Sequence, residues 1–214
     1  MLHKEPQIIS PATFSLIQKL QSLPELSQFQ LVGGTALALQ LGHRDSIDID
    51  LFSQSDFDYI QLTEFLKSAF SFDENFVRKN TIIGFINNIK VDFITHPYQY
   101  VNPPLTEEGI TFLSKEDIAA MKLNAIINSG QRLKDFIDVY FLLEHFSVRA
   151  MLGFFEKKYP NTNPLIALKA INYFDDIDEA ISPPNLRKPL PLKKIKYRIN
   201  NAVIHANKIF KDDE

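Results

Sequence analysis

The sequence contains no cysteine. That excludes disulfide staples and thiolate-bound metals, so any metal must be held by oxygen or imidazole, which favours hard cations. It also lacks any apolar run approaching the ~18 residues of a spanning helix. Its opening residues, MLHKEPQIIS, lack the apolar stretch of a secretory signal. A cytoplasmic protein with no membrane partner is therefore expected. Internal repeats and low-complexity tracts are absent as well. What the chain does have is ample core material: 45% apolar and 12% aromatic residues over 214 positions, enough for one large domain or two small ones.

The net charge of -3 conceals an uneven distribution. Between Leu186 and Lys211 lie Arg187, Lys188, Lys193, Lys194, Lys196, Arg198, Lys208 and Lys211, with no acidic residue among them. Such a stripe is either a contact for an anionic partner or an ordinary solvated helix face.

Periodicity and punctuation outline the elements. Ser10 followed by Pro11 predicts a capped helix to about Leu23. QFQLVGG reads as a short strand entering paired glycines, TALALQLG as a helix ended by Gly42, and SIDIDLFS as a strand. DFDYIQLTEFLKSAF has a helical period, with Phe57, Ile60, Leu62, Phe65, Leu66 and Phe70 as its buried side. TIIGFIN and IKVDFIT flank Asn87-Asn88, a pair that tolerates positive φ and suits a tight hairpin. Three prolines between His96 and Pro104 then interrupt regular structure. Beyond Ser114 the pattern is helical, starting with a capping box of Ser114 and Asp117, closing a first helix at Gly130, and ending in a basic helix from about Pro191 to Phe210. The segment SPPNLRKPLPLKK is a proline-rich connector. A boundary near Pro103 divides the chain into residues 1–103 and 104–214. The class is α/β (α+β): a mixed sheet with flanking helices, followed by a helical domain.

Two aspartates interrupt the apolar strand IDIDLF. Asp48 and Asp50 are two residues apart, so they point to one face about 6.6 Å apart at ~3.3 Å per residue. Asp92 interrupts IKVDFIT in the same way. Three acids on adjacent strands crowd negative charge unless a cation neutralises it, and Mg²⁺ is suited because it takes a few carboxylates and completes its shell with water and phosphate oxygens. Gly33 and Gly34 let the backbone approach a ligand closely, and the start of the following helix offers N–H groups to a phosphate. Thr35 either caps that helix or donates to the phosphate. Arg44 binds a phosphate or pairs with the acids, and Ser46 is a hydroxyl donor or a strand-entry residue. His43, His96, His145 and His205 show no metal-ligand spacing.

GGTALALQLGHRDSIDIDLF resembles the signature of the nucleotidyltransferase superfamily of the DNA polymerase β type, and Arg44 and Ser46 ahead of the acids resemble its AbiEii/AbiGii toxin branch. KVDFIT resembles the strand that carries the superfamily's third carboxylate. DIAAMKLNAIINSGQRLKDFIDVYFLL resembles the helical K-L-x-A and K-D-x-x-D segments of the branch. The resemblance covers about residues 30 to 145, and Asp45 in GHRDS is an acid the pattern does not require. It implies a nucleotidyltransferase-like mixed sheet and Mg²⁺ (or Mn²⁺) held by Asp48, Asp50 and Asp92, with Asp92 also activating the attacking hydroxyl. The triphosphate of an NTP would lie on Gly33, Gly34 and Thr35, with Lys122 reaching its phosphates. Lys134, Asp135 and Asp138 fit the K-D-x-x-D segment, either orienting Lys122 or forming a structural ion pair. The implied reaction is transfer of NMP to a hydroxyl acceptor, an RNA 3′ end such as tRNA or a protein side chain, with a cognate antitoxin as partner. Two other readings share these residues: a catalytically silent nucleotide- or partner-binding module, and an aspartate-based phosphate-ester hydrolase.

Overall fold

The computed structural model describes residues 1–181, 186 and 189–211. Two compact units emerge, one of residues 1–99 and 103–113, the other of 100–102 and 114–214.

The first unit is built on a seven-stranded sheet. Its strands are β1 (Gln30–Leu31), β2 (Ile49–Ser53), β3 (Phe72–Arg78), β4 (Thr81–Ile86), β5 (Ile89–Thr95), β6 (Leu105–Glu107) and β7 (Ile110–Phe112), in the spatial order β3-β4-β5-β2-β1-β7-β6. β2 runs antiparallel to β1 and parallel to β5, so it sits at the centre of a mixed sheet. Three helices belong to this unit: α1 (Pro11–Gln21), α2 (Gly33–Leu41) and α3 (Tyr59–Ala69). The Ser10 side chain caps α1 by accepting from Thr13 N at 3.0 Å, worth about 1 kcal/mol at such a position. Gly42 ends α2 at φ 64°, the left-handed conformation that glycine adopts without a Cβ penalty.

Alternation places Ile49, Leu51, Val91 and Phe93 in the core, all with no exposed surface. Phe29 closes the core with edge-on contacts to Phe57 and Phe93, at 5.1 and 5.4 Å between centroids. Full burial of one such side chain contributes roughly 1.5–3 kcal/mol. Asn87 and Asn88 form the expected hairpin, at φ 51° and 63°.

Three features depart from the sequence pattern. FDENFVR forms β3 at the sheet edge, where most of its side chains face solvent and no alternation is required. Residues 105–112 form a hairpin around Glu108 and Gly109, both at positive φ, and β7 pairs with β1, so the sheet continues past Pro103 and Pro104. Ile60 is exposed, whereas Leu62 and Leu66 are buried as expected, joined by Thr63.

The second unit holds α4 (Lys115–Asn128), α5 (Leu133–Leu142), α6 (Val148–Lys158), α7 (Pro164–Ile171) and α8 (Leu192–Ile204). α4 packs against α5, α6 and α7, and α5 against α8. Ser114 caps α4, which ends at Ser129 in an extended conformation, one residue before Gly130. α8 stops at Ile204, short of Phe210, whose ring is buried. Of the proline-rich connector, residues 182–185 lie outside the described residues, as do Arg187 and Lys188. Among the described residues, no helix is long and apolar enough to cross a membrane.

Candidate active site

The register of the central strands decides which carboxylates meet. Asp50 on β2 is the direct partner of Asp92 on β5 in a parallel pairing. Partners in a ladder share a face, and neighbouring strands lie ~4.8 Å apart. Asp48 stands just before β2, two residues ahead of Asp50. Its backbone carbonyl accepts from the Thr35 hydroxyl, which also hydrogen-bonds Ser46 Oγ at 2.8 Å. Thr35 is buried and the N-cap of α2 is Val32, without a side-chain cap. The threonine therefore ties the first turn of α2 to the backbone that carries Asp48.

The two glycines have specific spatial reasons. Gly33 has φ +69°, and a Cβ there would collide with Asp50 Oδ2. At Gly34 a Cβ would collide with Arg44 Nη2, and Ser46 Oγ would lie at 3.4 Å. Any larger residue would displace either a carboxylate or a guanidinium. The glycine pair thus lets the first turn of α2 lie against Asp50 and Arg44, with first-turn N–H groups that no intrahelical carbonyl can satisfy. Arg44 is itself buried and donates to the Asp45 carbonyl at 2.6 Å.

Asp92 is buried. Its Oδ2 accepts from Lys90 Nζ at 2.5 Å, while Oδ1 is buried with no hydrogen-bond partner among the described residues. A buried carboxylate oxygen left unpaired costs on the order of 1–3 kcal/mol. Lys90 was not singled out in the sequence, although its position two residues before Asp92 puts it on the same face.

These residues fit a hard divalent cation. The donors are all carboxylate oxygens, one of them is orphaned in the interior, and the absence of a Cβ at Gly33 lets Asp50 Oδ2 lie against the first turn of α2. Among the described residues, no three His, Asp or Glu side chains form a ready-made cage.

The remaining residues singled out in the sequence belong to the helical unit. Lys122 is buried on α4, and its ammonium lies 2.8 Å from Asp135 Oδ1 and 2.7 Å from Asp138 Oδ2, both on α5. Arg132 completes this cluster at 2.8 Å from Asp135 Oδ2, and Lys134 is half-buried. The basic stripe divides by environment. Lys193 and Lys194 are exposed, whereas Arg198 is fully buried, pairs with Glu144 and stacks 3.6 Å from the centroid of Tyr140. Sequence reasoning took Asp117 only for a capping residue. It also accepts from Lys158 at 2.8 Å and from the backbone of Val101 and Asn102.

A mixed sheet carrying paired carboxylates beside a glycine-led helix defines the nucleotidyltransferase fold, and solved structures agree. MenT4, a nucleotidyltransferase toxin from Mycobacterium tuberculosis H37Rv, superposes with a TM-score of 0.59 at 14% identity, covering 91% of this chain and 82% of that one. JHP933 from Helicobacter pylori superposes at 0.55 with 16% identity, covering 91% and 89%. An uncharacterized protein of Aquifex aeolicus (strain VF5) is 32% identical over 171 residues, 77% of this chain and 82% of its own length. The family model for the nucleotidyl transferase AbiEii toxin of type IV toxin–antitoxin systems matches residues 16–196. The chain belongs to that family and is a nucleotidyltransferase.

Proposed function

We propose that the chain transfers a nucleoside monophosphate from an NTP to a hydroxyl acceptor, releasing pyrophosphate, with Mg²⁺ or Mn²⁺ held by Asp48, Asp50 and Asp92. The observation that carries this reading is the direct pairing of Asp50 with Asp92 beside Gly33, with one Asp92 oxygen left without a partner. The triphosphate is assigned to the first turn of α2 at Gly33, Gly34 and Thr35, with Arg44 and Ser46 alongside. Asp92 takes the proton of the attacking hydroxyl as its oxygen bonds to the α-phosphorus and the bond to the bridging oxygen breaks. A bound divalent cation supplies Lewis-acid stabilisation of the charge on the phosphoryl oxygens and on the leaving pyrophosphate. For Lys122 the support is the motif match together with the fixed ammonium that Asp135 and Asp138 produce; its assigned role is a phosphate contact.

The acceptor class is a hydroxyl of an RNA 3′ end, such as that of tRNA, or of a protein side chain. Lys193 and Lys194 are the exposed cations of α8 and are assigned to acceptor phosphates. The match to a toxin family of type IV toxin–antitoxin systems supports a cognate antitoxin as protein partner.

Purified protein is incubated with each labelled NTP, Mg²⁺ and total RNA, and RNA is then resolved from protein on a gel. Label is expected on one acceptor class. It falls at least ~100-fold in Asp48→Ala and in Asp50→Ala, since each removes several kcal/mol of charge stabilisation, while circular dichroism stays unchanged. Undiminished transfer by both variants overturns the proposal.

A further inference from the structure

Phe52 follows Asp50 by two residues on β2 and therefore lies on the same face, ~6.6 Å further along the strand. Its ladder partner is Ile94, two residues beyond Asp92. Past β5 the chain continues beside β2, with His96 N donating to the Ser53 carbonyl at 2.7 Å. His96 meets Phe52 at 5.6 Å between centroids, and Tyr98 meets His96 at 4.6 Å. The loop that carries the last two rings is fixed. Tyr98 N donates to the His96 carbonyl at 2.8 Å, and Gln54 Nε2 donates to the Tyr98 carbonyl at 2.7 Å.

A cluster serving only to cover the core would be buried, yet Tyr98 is 40% exposed and Phe52 and His96 are partly exposed. Three rings lie one strand step beyond the paired carboxylates, tilted 37° and 49° to one another in sequence, so that each partly exposed ring offers its own face. Aromatic faces of this kind bind nucleobases with little sequence preference, since every base presents a π-face. The distance from Asp50 to Phe52 is on the scale of the ribose that separates a phosphate from its base. His96, which has no metal-ligand spacing in the sequence, takes part as a ring.

We propose that Phe52, His96 and Tyr98 form a stacking subsite for a nucleobase of the reacting substrates, either the base of the incoming nucleotide or the terminal base of a nucleic-acid acceptor. This rests on the nucleotidyl-transfer reading above. The test uses the full chain with Tyr98→Ala, Phe52→Leu and Tyr98→Phe. KM for the NTP and KM for the acceptor are measured separately, and each ligand's binding in Mg²⁺ is followed by equilibrium dialysis. Loss of stacking weakens binding by roughly 5- to 100-fold per base. Tyr98→Ala and Phe52→Leu are expected to raise one KM by about that factor, and Tyr98→Phe to restore it, because a phenyl ring stacks without the hydroxyl.

A rise confined to the NTP assigns the subsite to the nucleotide, and one confined to the acceptor assigns it to the acceptor's terminal base. Both KM values and both affinities unchanged within twofold, in a wild-type protein that transfers nucleotide, overturn the subsite alone. Weakened binding by Tyr98→Ala in a protein that transfers nothing supports the subsite and overturns the transfer reading. Wild-type protein that binds neither ligand overturns both.

Discussion

In the helical unit Lys158 and Asp117 have no exposed side-chain surface and stand 2.8 Å apart, with further backbone donors on the carboxylate. In the sheet unit Asp92 is buried as well, yet one of its oxygens rests on Lys90 and the other on nothing among the described residues. The same residue type is thus treated in two ways. Where a buried charge serves architecture, its partners surround it: Asp117 has Lys158 and two backbone donors, and Arg198 has Glu144 and the Tyr140 ring. Where a carboxylate belongs to the candidate active site, its coordination is left short by the protein. Burial is common to the two aspartates; the completeness of their compensation is what separates them.

One substitution made at two places should break this contrast most sharply. Asp117→Asn removes the carboxylate charge paired with the buried Lys158 ammonium, and removing one partner of such a pair costs about 3–5 kcal/mol. At about 2–4 °C per kcal/mol for a chain of this size, the melting temperature should fall by roughly 6–20 °C in a calorimeter. Asp92→Asn leaves no cation without solvent access, because the Lys90 side chain is 36% exposed. Its melting temperature should move by only a few degrees, while nucleotidyl transfer falls at least ~100-fold. Equal losses of stability in the two variants would dissolve the contrast.

Gly33→Ala tests the approach of α2 to Asp50. Positive φ for a residue with a Cβ costs on the order of 1–3 kcal/mol, and the methyl collides with Asp50 Oδ2. Denaturant titration should show that loss, and the transfer rate should fall more than tenfold as the carboxylate moves. Ala at this position with wild-type activity would show that the close approach has no bearing on the chemistry. The smallest effect is expected for Lys90→Met. A partly exposed pair contributes at most ~1 kcal/mol, so the melting temperature should change little, and a rise in Mn²⁺ affinity would show that Lys90 competes with the cation for Asp92.

Much of this contrast was legible on one side only. Carboxylates at alternate positions in IDIDLF, and again in KVDFIT, stand out because an apolar strand has no other use for them. The Asn87-Asn88 hairpin, Gly42 and Ser10 are equally local signals. The glycine pair was legible as a feature but not in its cause: that Gly33 makes room for Asp50 and Gly34 for Arg44 depends on strand and helix meeting in space. In the helical unit the pairing of Lys122 with Asp135 and Asp138 was legible from the K-D-x-x-D segment, whereas those of Lys158 with Asp117 and of Arg198 with Glu144 were not, for the same reason. Lys158, Asp117 and Arg198 have the composition of a solvated surface, and only packing turns them inward. β3 escaped because an exposed edge strand needs no apolar alternation, and the β6–β7 hairpin because Pro103 and Pro104 read as the end of the sheet.

The central claim is that Asp48, Asp50 and Asp92 jointly hold a divalent cation. The most direct measurement is Mn²⁺ binding by water-proton relaxation, in the presence of a non-hydrolysable NTP, for the wild-type protein and for Asp50→Asn and Asp92→Asn. Tight Mn²⁺ binding by the wild type that is lost in both variants is the predicted result. Unaltered Mn²⁺ binding in both would contradict the account.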